Sequence, residues 1–324
     1  MAQSQEHVQL RSIYSSIMQK SATKPWQILL YYKYIAIAQP EKFAYNHLKL
    51  CKKLGLKGRV LIANEGINGT VGGPQEATNE YMKLMHADPR FKTMEFKISE
   101  GAPQTFKKIF VRYRPELVTL NLKEKIDPHK AGGTYLEPEE LKNMYDAHEN
   151  FTIIDMRNDY EAKIGRFKNA VTLKMKVFKE LPKIVKKNLH KFRDQKIVTY
   201  CTGGIRCEKA SALLKKNGFK NVYQLHGGVA RFGQKFPDNY FEGKLFVFDE
   251  RMAVPINSPG QEKVIACCLH CQKPFDDYIN CINAECNKLI ILCPDCRIEW
   301  NNACSRACAK KPRPLTASKN LIQI

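Results

Sequence analysis

The 324-residue sequence lacks several features that would assign it to a class at once. The longest clear apolar run near its start covers residues 28–32, far short of the roughly 20 residues that a membrane-spanning helix needs. Its first 20 residues are polar and have no apolar central region, so a secretory signal peptide is not expected. Internal repeats and long low-complexity tracts are also missing. These absences predict a multidomain globular protein that is cytoplasmic and does not contact a membrane.

Acidic residues are scarce. The chain has 32 Asp and Glu residues against 53 Lys and Arg residues, a formal net charge of +21. When the chain is divided after residues 146 and 241, the segments carry +7, +12 and +2, so the excess is concentrated in the middle. A basic surface of this size attracts polyanions, of which nucleic acid is the commonest. A generally lysine-rich proteome is the alternative explanation.

Cysteine is rare until residue 267 and abundant after it. Of the 12 cysteines, only Cys51, Cys201 and Cys207 precede that position. In a cytosolic chain such clustering indicates metal or redox chemistry rather than a disulfide framework. Eight of the late cysteines form four closely spaced pairs: Cys268 and Cys271, Cys281 and Cys286, Cys293 and Cys296, and Cys304 and Cys308. These pairs predict two tetrahedral zinc sites, with Cys267 and His270 as spare ligands and disulfides as the alternative.

Hydrophobic patterning predicts an α/β and α+β multidomain chain. Residues 25–120 follow the order strand–helix–strand–strand–helix–strand of a ferredoxin-like domain. Residues 135–241 begin with a helix over 135–150 and continue with buried strands separated by helices, which predicts a parallel α/β domain. The remaining segments are an extension with a short amphipathic helix (1–24), a basic connector (121–134), and a cysteine-rich module with a tail of no regular pattern (242–324).

The stretch KIVTYCTGGIRCEK, residues 196–209, contains the most informative cysteine. Its first five residues are typical of a strand, and a helix is predicted from near Cys207 onward. The intervening loop residues, Thr202, Gly203, Gly204 and Ile205, can direct backbone N–H groups at one point and so form an anion cradle. The helix end and Arg206 add positive charge. We therefore expect a lowered pKa for Cys201, which makes it a nucleophile or a sulfur carrier. A buried, inert cysteine is the alternative.

Three segments of the central domain, residues 155–170, 200–210 and 222–232, resemble a rhodanese domain. The Cys-x4-Arg loop of that family contains the catalytic cysteine, which corresponds to Cys201, and Arg206 closes the loop. Related tyrosine-phosphatase-like enzymes use a loop one residue longer. The shorter loop, together with the absence of a candidate general acid, argues against phosphatase activity.

A wider resemblance covers nearly all of residues 25–310. The segment LKGRVLIANEGINGTVGG (56–73), a rhodanese domain and eight spaced cysteines together resemble the bacterial tRNA uridine hydroxylase family. That resemblance implies an acylphosphatase-like N-terminal domain and oxygen-dependent formation of 5-hydroxyuridine at the tRNA wobble position. It also implies a role for Cys207. Acylphosphatase activity is not implied, because the phosphate loop of those enzymes is missing.

The residues by themselves say less about this chemistry. No G-x-G-x-x-G follows a strand, so there is no nucleotide or flavin signature, and no pair of histidines with a carboxylate indicates an iron site. A thiolate could add to C6 of uracil and make C5 electron-rich enough to meet oxygen without a metal. Cys207 could resolve an oxidised Cys201, hold an intermediate, or be a simple helix residue. Asp155 and Arg157, at a strand end, are interpreted as a supporting ion pair.

A basic run precedes the catalytic strand. Residues 174–196 contain nine Lys or Arg residues against Glu180 and Asp194. Phosphate contacts supply most nonspecific nucleic-acid affinity, so the run predicts a tRNA-binding surface formed by Lys183, Lys186, Lys187, Lys191 and Arg193. A solvated helix face is the alternative. Stacking on an RNA base needs an aromatic side chain, and the candidates nearest in sequence are Phe167, Phe178 and Tyr200.

Two further functions remain open from the sequence. One is a sulfurtransferase that carries sulfur as a Cys201 persulfide, which thiosulfate-to-cyanide transfer at a good rate would favour. The other is a non-catalytic RNA-binding protein on a rhodanese-like scaffold, against which the intact Cys201 loop argues.

Overall fold

The computed structural model describes residues 25–311 except Lys123 and Lys125. The helix predicted within residues 1–24 and most of the tail predicted after residue 309 lie outside this range. In the described part of the chain, no helix combines the length and apolar character needed to cross a membrane.

The N-terminal domain is a five-stranded sheet with two helices on one face. Its strands lie in the order β4-β1-β3-β2-β5, and only the β2–β5 pair is parallel. The first four strands and both helices have the predicted ferredoxin-like order. In chain order the elements are β1 (Trp26–Tyr34), α1 (Pro40–Lys53), β2 (Lys57–Ala63), β3 (Gly66–Pro74), α2 (Gln75–Ala87), β4 (Phe96–Glu100) and β5 (Ile109–Tyr113).

Alternation along β1 decides which face of this sheet is the core. Leu29 and Tyr31 pack beneath the two helices, so Leu30 and Tyr32 point to the opposite face. Helix α1 begins with a proline at its first turn and ends in Lys52 and Lys53, as its dipole favours. The face of the sheet without helices is left free to meet the next domain.

The central domain is a parallel sheet with strand order β6-β11-β10-β7-β9. This confirms the predicted rhodanese-like architecture. Its elements are α3 (Pro128–Ala131), β6 (Thr134–Leu136), α4 (Pro138–Asp146), β7 (Thr152–Asp155), α5 (Asp159–Ile164), β8 (Gly165–Phe167), β9 (Val171–Thr172), a 3-10 turn (Phe178–Glu180), α6 (Leu181–Ile184), a π-helical turn (Val185–Leu189), a second 3-10 turn (His190–Phe192), β10 (Lys196–Tyr200), α7 (Ile205–Lys216), β11 (Asn221–Leu225) and α8 (Gly228–Lys235).

The prediction of a helix over residues 135–150 was wrong at both ends. Residues 134–136 are the edge strand β6, paired with β11, and the helix covers only Pro138–Asp146. The start is set locally, because Glu137 and Glu140 form a capping box and Pro138 occupies the first turn.

The C-terminal module consists of short pieces. Its elements are β12 (Phe241–Gly243), β13 (Leu245–Phe246), β14 (Ala253–Val254), β15 (Tyr278–Asn280), β16 (Leu289–Ile291), α9 (Pro294–Glu299) and α10 (Arg306–Lys310). Strand β12 pairs with β8 of the central domain, and the Tyr278 hydroxyl donates to the Tyr160 carbonyl at 2.7 Å. These contacts attach the module to the central domain. The residue limits of the domains stay a prediction.

Candidate active site

Cys201 lies at the carboxyl end of β10, the central strand of the parallel sheet. Sites of α/β proteins collect at the carboxyl ends of such strands. The strand ends at Tyr200, and α7 begins at Ile205, two residues before the predicted start. The backbone N–H of Gly204 donates to the Cys201 sulfur at 3.1 Å. Gly204 has φ 107°, a left-handed conformation that favours glycine. The turn therefore directs a backbone donor at the thiol.

The surroundings of Cys201 favour its thiolate. Burial opposes ionisation, but a hydrogen bond from the Cys207 thiol, the charge of Arg206 and the N–H groups of Arg206 and Gly204 outweigh it and lower the pKa of Cys201 to about 5. For Cys207, burial, the hydrogen bond to Cys201 and the charge of Cys201 raise the pKa well above its ordinary value. At neutral pH the pair is thus one thiolate and one thiol, with Cys207 as the proton donor.

Arg206 acts on the loop together with a carboxylate that sequence reasoning missed. Its guanidinium forms a buried, two-point ion pair with Glu161, with N–O distances of 2.6 and 2.8 Å. It also donates to the Thr202 hydroxyl at 3.3 Å. The available signal was the Asn158-x-x-Glu161 spacing of a capping box, which forms at the start of α5. Glu161 therefore holds Arg206 in place and partly neutralises it.

Asp155 and Arg157 form a fully buried ion pair under the loop. The Arg157 side chain donates to both oxygens of Asp155, at 2.9 and 2.6 Å, and to the carbonyl of Gly165 at 2.6 Å. The Tyr200 hydroxyl donates to Asp155 at 2.7 Å. Because Tyr200 directly precedes Cys201, this network fixes the strand end from which the loop starts.

The N-terminus of α8 holds the loop backbone from the other side. The N–H groups of Val229 and Ala230 donate to the carbonyls of Cys201 and Thr202 at 3.0 and 2.9 Å. Gly228 has φ 65°, and a Cβ atom there would lie 2.4 Å from the Cys201 carbonyl oxygen. A side chain at this position would displace the loop, so Gly228 is required for the close approach of the two backbones.

The free face of the N-terminal sheet covers the loop. Leu30 contacts Gly203, where a Cβ atom would approach its Cδ2 to 3.0 Å, and the Tyr32 hydroxyl would be 2.8 Å from a Cβ atom at Gly204. As a result Cys201 has no exposed surface. Cys201 thus lies at an interface between two domains, and nothing in the local sequence of the loop indicates this.

Helix α7 joins the two domains through two charged residues that sequence reasoning also missed. The Lys209 ammonium lies 2.8 Å from both Glu65 and Glu116. Glu208 accepts hydrogen bonds from the hydroxyls of Tyr32 at 2.8 Å and Tyr135 at 2.7 Å. Because these contacts come from the first two turns after the loop, the N-terminal domain constrains the helix that orients Cys201.

Two cavities flank the covered loop. One, of about 430 Å³, is lined in part by Tyr32, Tyr135 and His226. The other, of about 310 Å³, is lined in part by Thr202 and Phe248, and Lys97 lines both. These volumes lie at the small end of the range for small-molecule sites. Tyr135 and Phe248 are 53% and 38% exposed, so each cavity has an accessible aromatic side chain.

Comparison with known proteins assigns the chain to a family. The family models that match are the UPF0176 acylphosphatase like domain over residues 26–117, the Rhodanese-like domain over 137–235 and Rhodanase C-terminal over 242–309. A Bacillus licheniformis protein named tRNA uridine(34) hydroxylase is 47% identical over 294 residues, 90% of each chain. A Staphylococcus aureus protein of the same name is 47% identical over 291 residues, 89% of this chain and 91% of its own. The chain belongs to the tRNA uridine(34) hydroxylase family. This confirms the resemblance seen in the sequence.

In this member of the hydroxylase family, the eight paired cysteines form two groups of four that could each hold a metal ion. Within each group all four sulfur atoms lie within 4.8 Å of one another; the groups are Cys268, Cys271, Cys293 and Cys296, and Cys281, Cys286, Cys304 and Cys308. Tetrahedral zinc with Zn–S bonds of about 2.3 Å separates sulfurs by about 3.8 Å. Three of the sulfur pairs, Cys271–Cys293, Cys286–Cys304 and Cys304–Cys308, are 3.6 to 3.7 Å apart.

The two spare candidates lie outside both groups. Cys267 is absent from them, and His270 stacks on Trp300 with ring centroids 3.6 Å apart while its Nε2 contacts the Ala303 carbonyl. All the cysteines in the described residues are free thiols. The donor set therefore fits two tetrahedral zinc ions better than disulfides.

The basic side chains of the run in this hydroxylase-family chain are at least partly exposed, but the run leads away from Cys201. All five predicted RNA contacts lie at least partly at the surface; they are Lys183, Lys186, Lys187, Lys191 and Arg193. The last two directly precede β10, whereas Cys201 follows its far end. A strand of five residues spans about 16 Å. Lys191 and Arg193 therefore lie toward the amino end of β10, opposite the end that carries Cys201.

The predicted stacking residues were wrong. Phe167 and Tyr200 have no exposed surface and Phe178 is 8% exposed, because all three face the cores on either side of the sheet. Their rings are occupied by protein neighbours, such as the edge-to-face contact of Phe167 and Tyr200. Tyr135 and Phe248 are the accessible aromatics next to the loop. Tyr135 was missed because it falls in a segment predicted as helix.

Proposed function

We propose that this protein hydroxylates the wobble uridine of tRNA to 5-hydroxyuridine, with molecular oxygen as co-substrate and Cys201 as the catalytic nucleophile. The observation that carries the proposal is a thiolate-stabilising loop within a chain that is 47% identical, over 90% of its length, to a named tRNA uridine(34) hydroxylase. The Gly204 N–H contact at 3.1 Å supports the role of Cys201.

The first step is addition of the Cys201 thiolate to C6 of the uracil ring. The new S–C6 bond moves the C5=C6 electron pair toward the C4 carbonyl oxygen, and C5 becomes a nucleophile that oxygen can oxidise. Oxygen adds to C5 as a hydroperoxide; its outer oxygen atom passes to the free Cys207 thiol, which becomes a sulfenic acid, and a hydroxyl stays on C5. Loss of the C5 proton and breakage of the S–C6 bond then restore the ring and release the Cys201 thiolate. The Gly204 N–H and Arg206 stabilise the departing thiolate as they stabilise the resting one.

Cys207, together with Cys201, supplies the remaining two electrons. Hydroxylation of one C–H bond uses two of the four electrons that molecular oxygen accepts, so two more must come from a reductant. Cys207 gives these two electrons when it takes the second oxygen atom as a sulfenic acid; the released Cys201 thiolate then attacks the Cys207 sulfur, a disulfide forms and water leaves, so the products are 5-hydroxyuridine and water. A cellular thiol reductant reopens the disulfide before the next turnover. The hydrogen bond from the Cys207 thiol to the Cys201 thiolate supports this pairing.

Zinc in the C-terminal module would have a structural role rather than a catalytic one. The two sets of four cysteines would hold one ion each and cross-link a module whose own apolar cluster is small. The exposed lysine run would attract tRNA, whose phosphates supply a long-range, salt-sensitive attraction. Since tRNA is modified in the cytoplasm, the proposed activity also places the protein there.

The direct test is nucleoside mass spectrometry of tRNA from a deletion strain complemented with single variants. Wild type and Cys51→Ser should restore 5-hydroxyuridine, because Cys51 is buried in the other domain. Cys201→Ser and Cys207→Ser should both abolish it. Full modification with Cys201→Ser would overturn the catalytic assignment, and full modification with Cys207→Ser would remove Cys207 from the mechanism.

The same loop could stabilise a persulfide on Cys201, so sulfurtransferase activity has to be measured beside hydroxylation. A sulfurtransferase needs only one thiol, and Cys207→Ser should then leave thiosulfate sulfurtransferase activity intact. If 5-hydroxyuridine is unchanged in the deletion strain while purified protein transfers sulfur rapidly, the sulfurtransferase hypothesis replaces the hydroxylase.

A further inference from the structure

The half of the N-terminal sheet that does not cover Cys201 carries an unusual set of side chains. Strand β2 places Arg59 in register with Phe110 of β5, and Leu61 with Arg112. The alternate residues of these strands, such as Val60 and Val111, are buried beneath α1 and α2. Arg59, Phe110 and Arg112 therefore share the face that holds Leu30 and Tyr32. With the flanking Lys108 and Arg114, we call this group the arginine face.

The arginine face is open to solvent. Lys108, Arg112 and Arg114 are exposed, and Arg59 and Phe110 are half-buried. The helices of the domain lie on the other side of the sheet, and the Cys201 loop contacts β1 on this side, through Leu30 and Tyr32. The face is thus available to a partner.

The charges of the arginine face lack counterions. Lys107, the preceding residue, pairs with Glu250 at 3.2 Å, whereas none of the four cations of the face forms an ion pair within residues 25–311 as described. Burial and then the positive charges of Arg112 and Arg114 lower the pKa of Arg59. Like charges this close destabilise the free protein, and an anionic partner would remove that repulsion.

Phe110 gives the face the composition of a single-stranded RNA site. The Lys108 ammonium and the Arg112 guanidinium lie 4.8 and 5.2 Å from the centre of its ring. Proteins that hold unpaired nucleotides on a sheet combine cations for the phosphates with aromatic or guanidinium planes for the bases. An acidic peptide would use the cations but has less need of the ring.

The face is continuous with the reacting cysteine. Thr70 on β3 pairs with Arg59 on one side and with Leu30 on the other, and Leu30 contacts the Cys201 loop at Gly203. Neighbouring strands are about 4.8 Å apart, so Arg59 is about 10 Å from Leu30. Nucleotides adjacent to a base held at the loop can span this distance. Lys191 and Arg193, in contrast, lie toward the amino end of β10, away from the loop.

We propose that the arginine face binds the phosphodiester backbone of the RNA strand next to the uridine that reacts. This inference rests on the proposed function for the identity of the RNA, but not for the binding itself. The lysine run 183–193 then attracts the body of the tRNA, and the arginine face holds the nucleotides that flank the reacting base.

The test compares charge-removing and charge-keeping variants for binding to an anticodon stem-loop under nitrogen, where no oxygen is present. Loss of two single-strand phosphate contacts reduces the slope of log K against log salt by about 1.4 and weakens binding about tenfold near 0.15 M salt. Arg112→Gln with Arg114→Gln should show both effects, and Arg112→Lys with Arg114→Lys should keep the slope. Lys42→Gln with Lys52→Gln, on the helical side of the same domain, is the matched control and should bind as wild type.

Two results would overturn the inference. One is an unchanged affinity and salt slope for the Arg112→Gln, Arg114→Gln protein whose thermal unfolding matches wild type. The other is an equal or larger loss of stem-loop binding when two cations of the lysine run, Lys183 and Lys186, are changed to Gln. A polyglutamate peptide that binds through these arginines while RNA binding stays unaffected would assign the face to an acidic protein instead. Failure of the proposed function would appear separately, as wild-type protein that binds the stem-loop but forms no 5-hydroxyuridine in air.

Discussion

Cys201 and Cys51 form a matched pair for testing whether the loop creates a thiolate. Both have no exposed surface, so reagent access is restricted at both. Burial raises the pKa of Cys51 to about 12, whereas the pKa of Cys201 is lowered to about 5 in spite of burial. The comparison therefore isolates the electrostatics of the loop from exposure.

The expected difference in alkylation can be worked from these values. At pH 6.5 nearly all Cys201 is thiolate, while only roughly three Cys51 residues per million are ionised. The lower intrinsic nucleophilicity of a low-pKa thiolate removes about three powers of ten from this advantage. We therefore expect Cys201 to react with iodoacetamide about a hundredfold faster than Cys51.

The pH dependence of the alkylation rate shows whether the pKa of each cysteine is lowered or raised. Because only the thiolate reacts, the rate at Cys201 should be level between about pH 6 and 8 and fall as the pH drops through about 5, while the rate at Cys51 should rise tenfold per pH unit. Peptide mass spectrometry resolves the two sites in one sample. Cys207→Ala, which removes a donor to Cys201, should move the Cys201 midpoint upward. A Cys201 rate that rises tenfold per pH unit across the neutral range would refute the lowered pKa, and an unmoved midpoint in Cys207→Ala would refute the role of that thiol.

Two further predictions concern stability. Purified protein should contain two zinc ions per chain by elemental analysis. Cys271→Ser and Cys286→Ser should each lose one ion and lower the Tm, whereas the control Cys267→Ser should keep both. Retention of two ions in either cluster variant would contradict the assignment. Lys209→Met should reduce the free energy of unfolding by about 3 kcal/mol, because it leaves two carboxylates without their buried cation; denaturant unfolding measures this, and a loss under about 0.5 kcal/mol would show that Lys209 does not hold the domains together.

Patterns of local origin were sufficient for much of this protein. The alternation of β1 and the proline start and basic end of α1 depend on neighbouring residues, and so does the turn that stops β10 at Tyr200 and starts α7. For the same reason the short spacings of the four cysteine pairs, with two to four intervening residues, identified the metal-ligand candidates. The partition of the eight cysteines into two groups, however, required the β15–β16 pair to bring distant cysteines together.

Errors arose where a residue's surroundings come from far along the chain. Phe167 and Tyr200 are near Cys201 in sequence, but strand alternation directs them into a core, so they are not accessible to a base. Glu161 and Gly228 contact the loop from segments about 40 and 27 residues away.

The sequence by itself determined the chemistry of the Cys201 loop, because the thiol, its backbone donor and Arg206 lie within six consecutive residues. It also determined the order of most strands and helices in both sheets, through their alternation and caps. Only the tertiary structure decided that Leu30 and Tyr32 cover the loop, that Lys209 joins the domains, and that the arginine face adjoins the site. These features depend on which face of the N-terminal sheet meets the second domain, and that choice is made by packing between residues more than 150 positions apart.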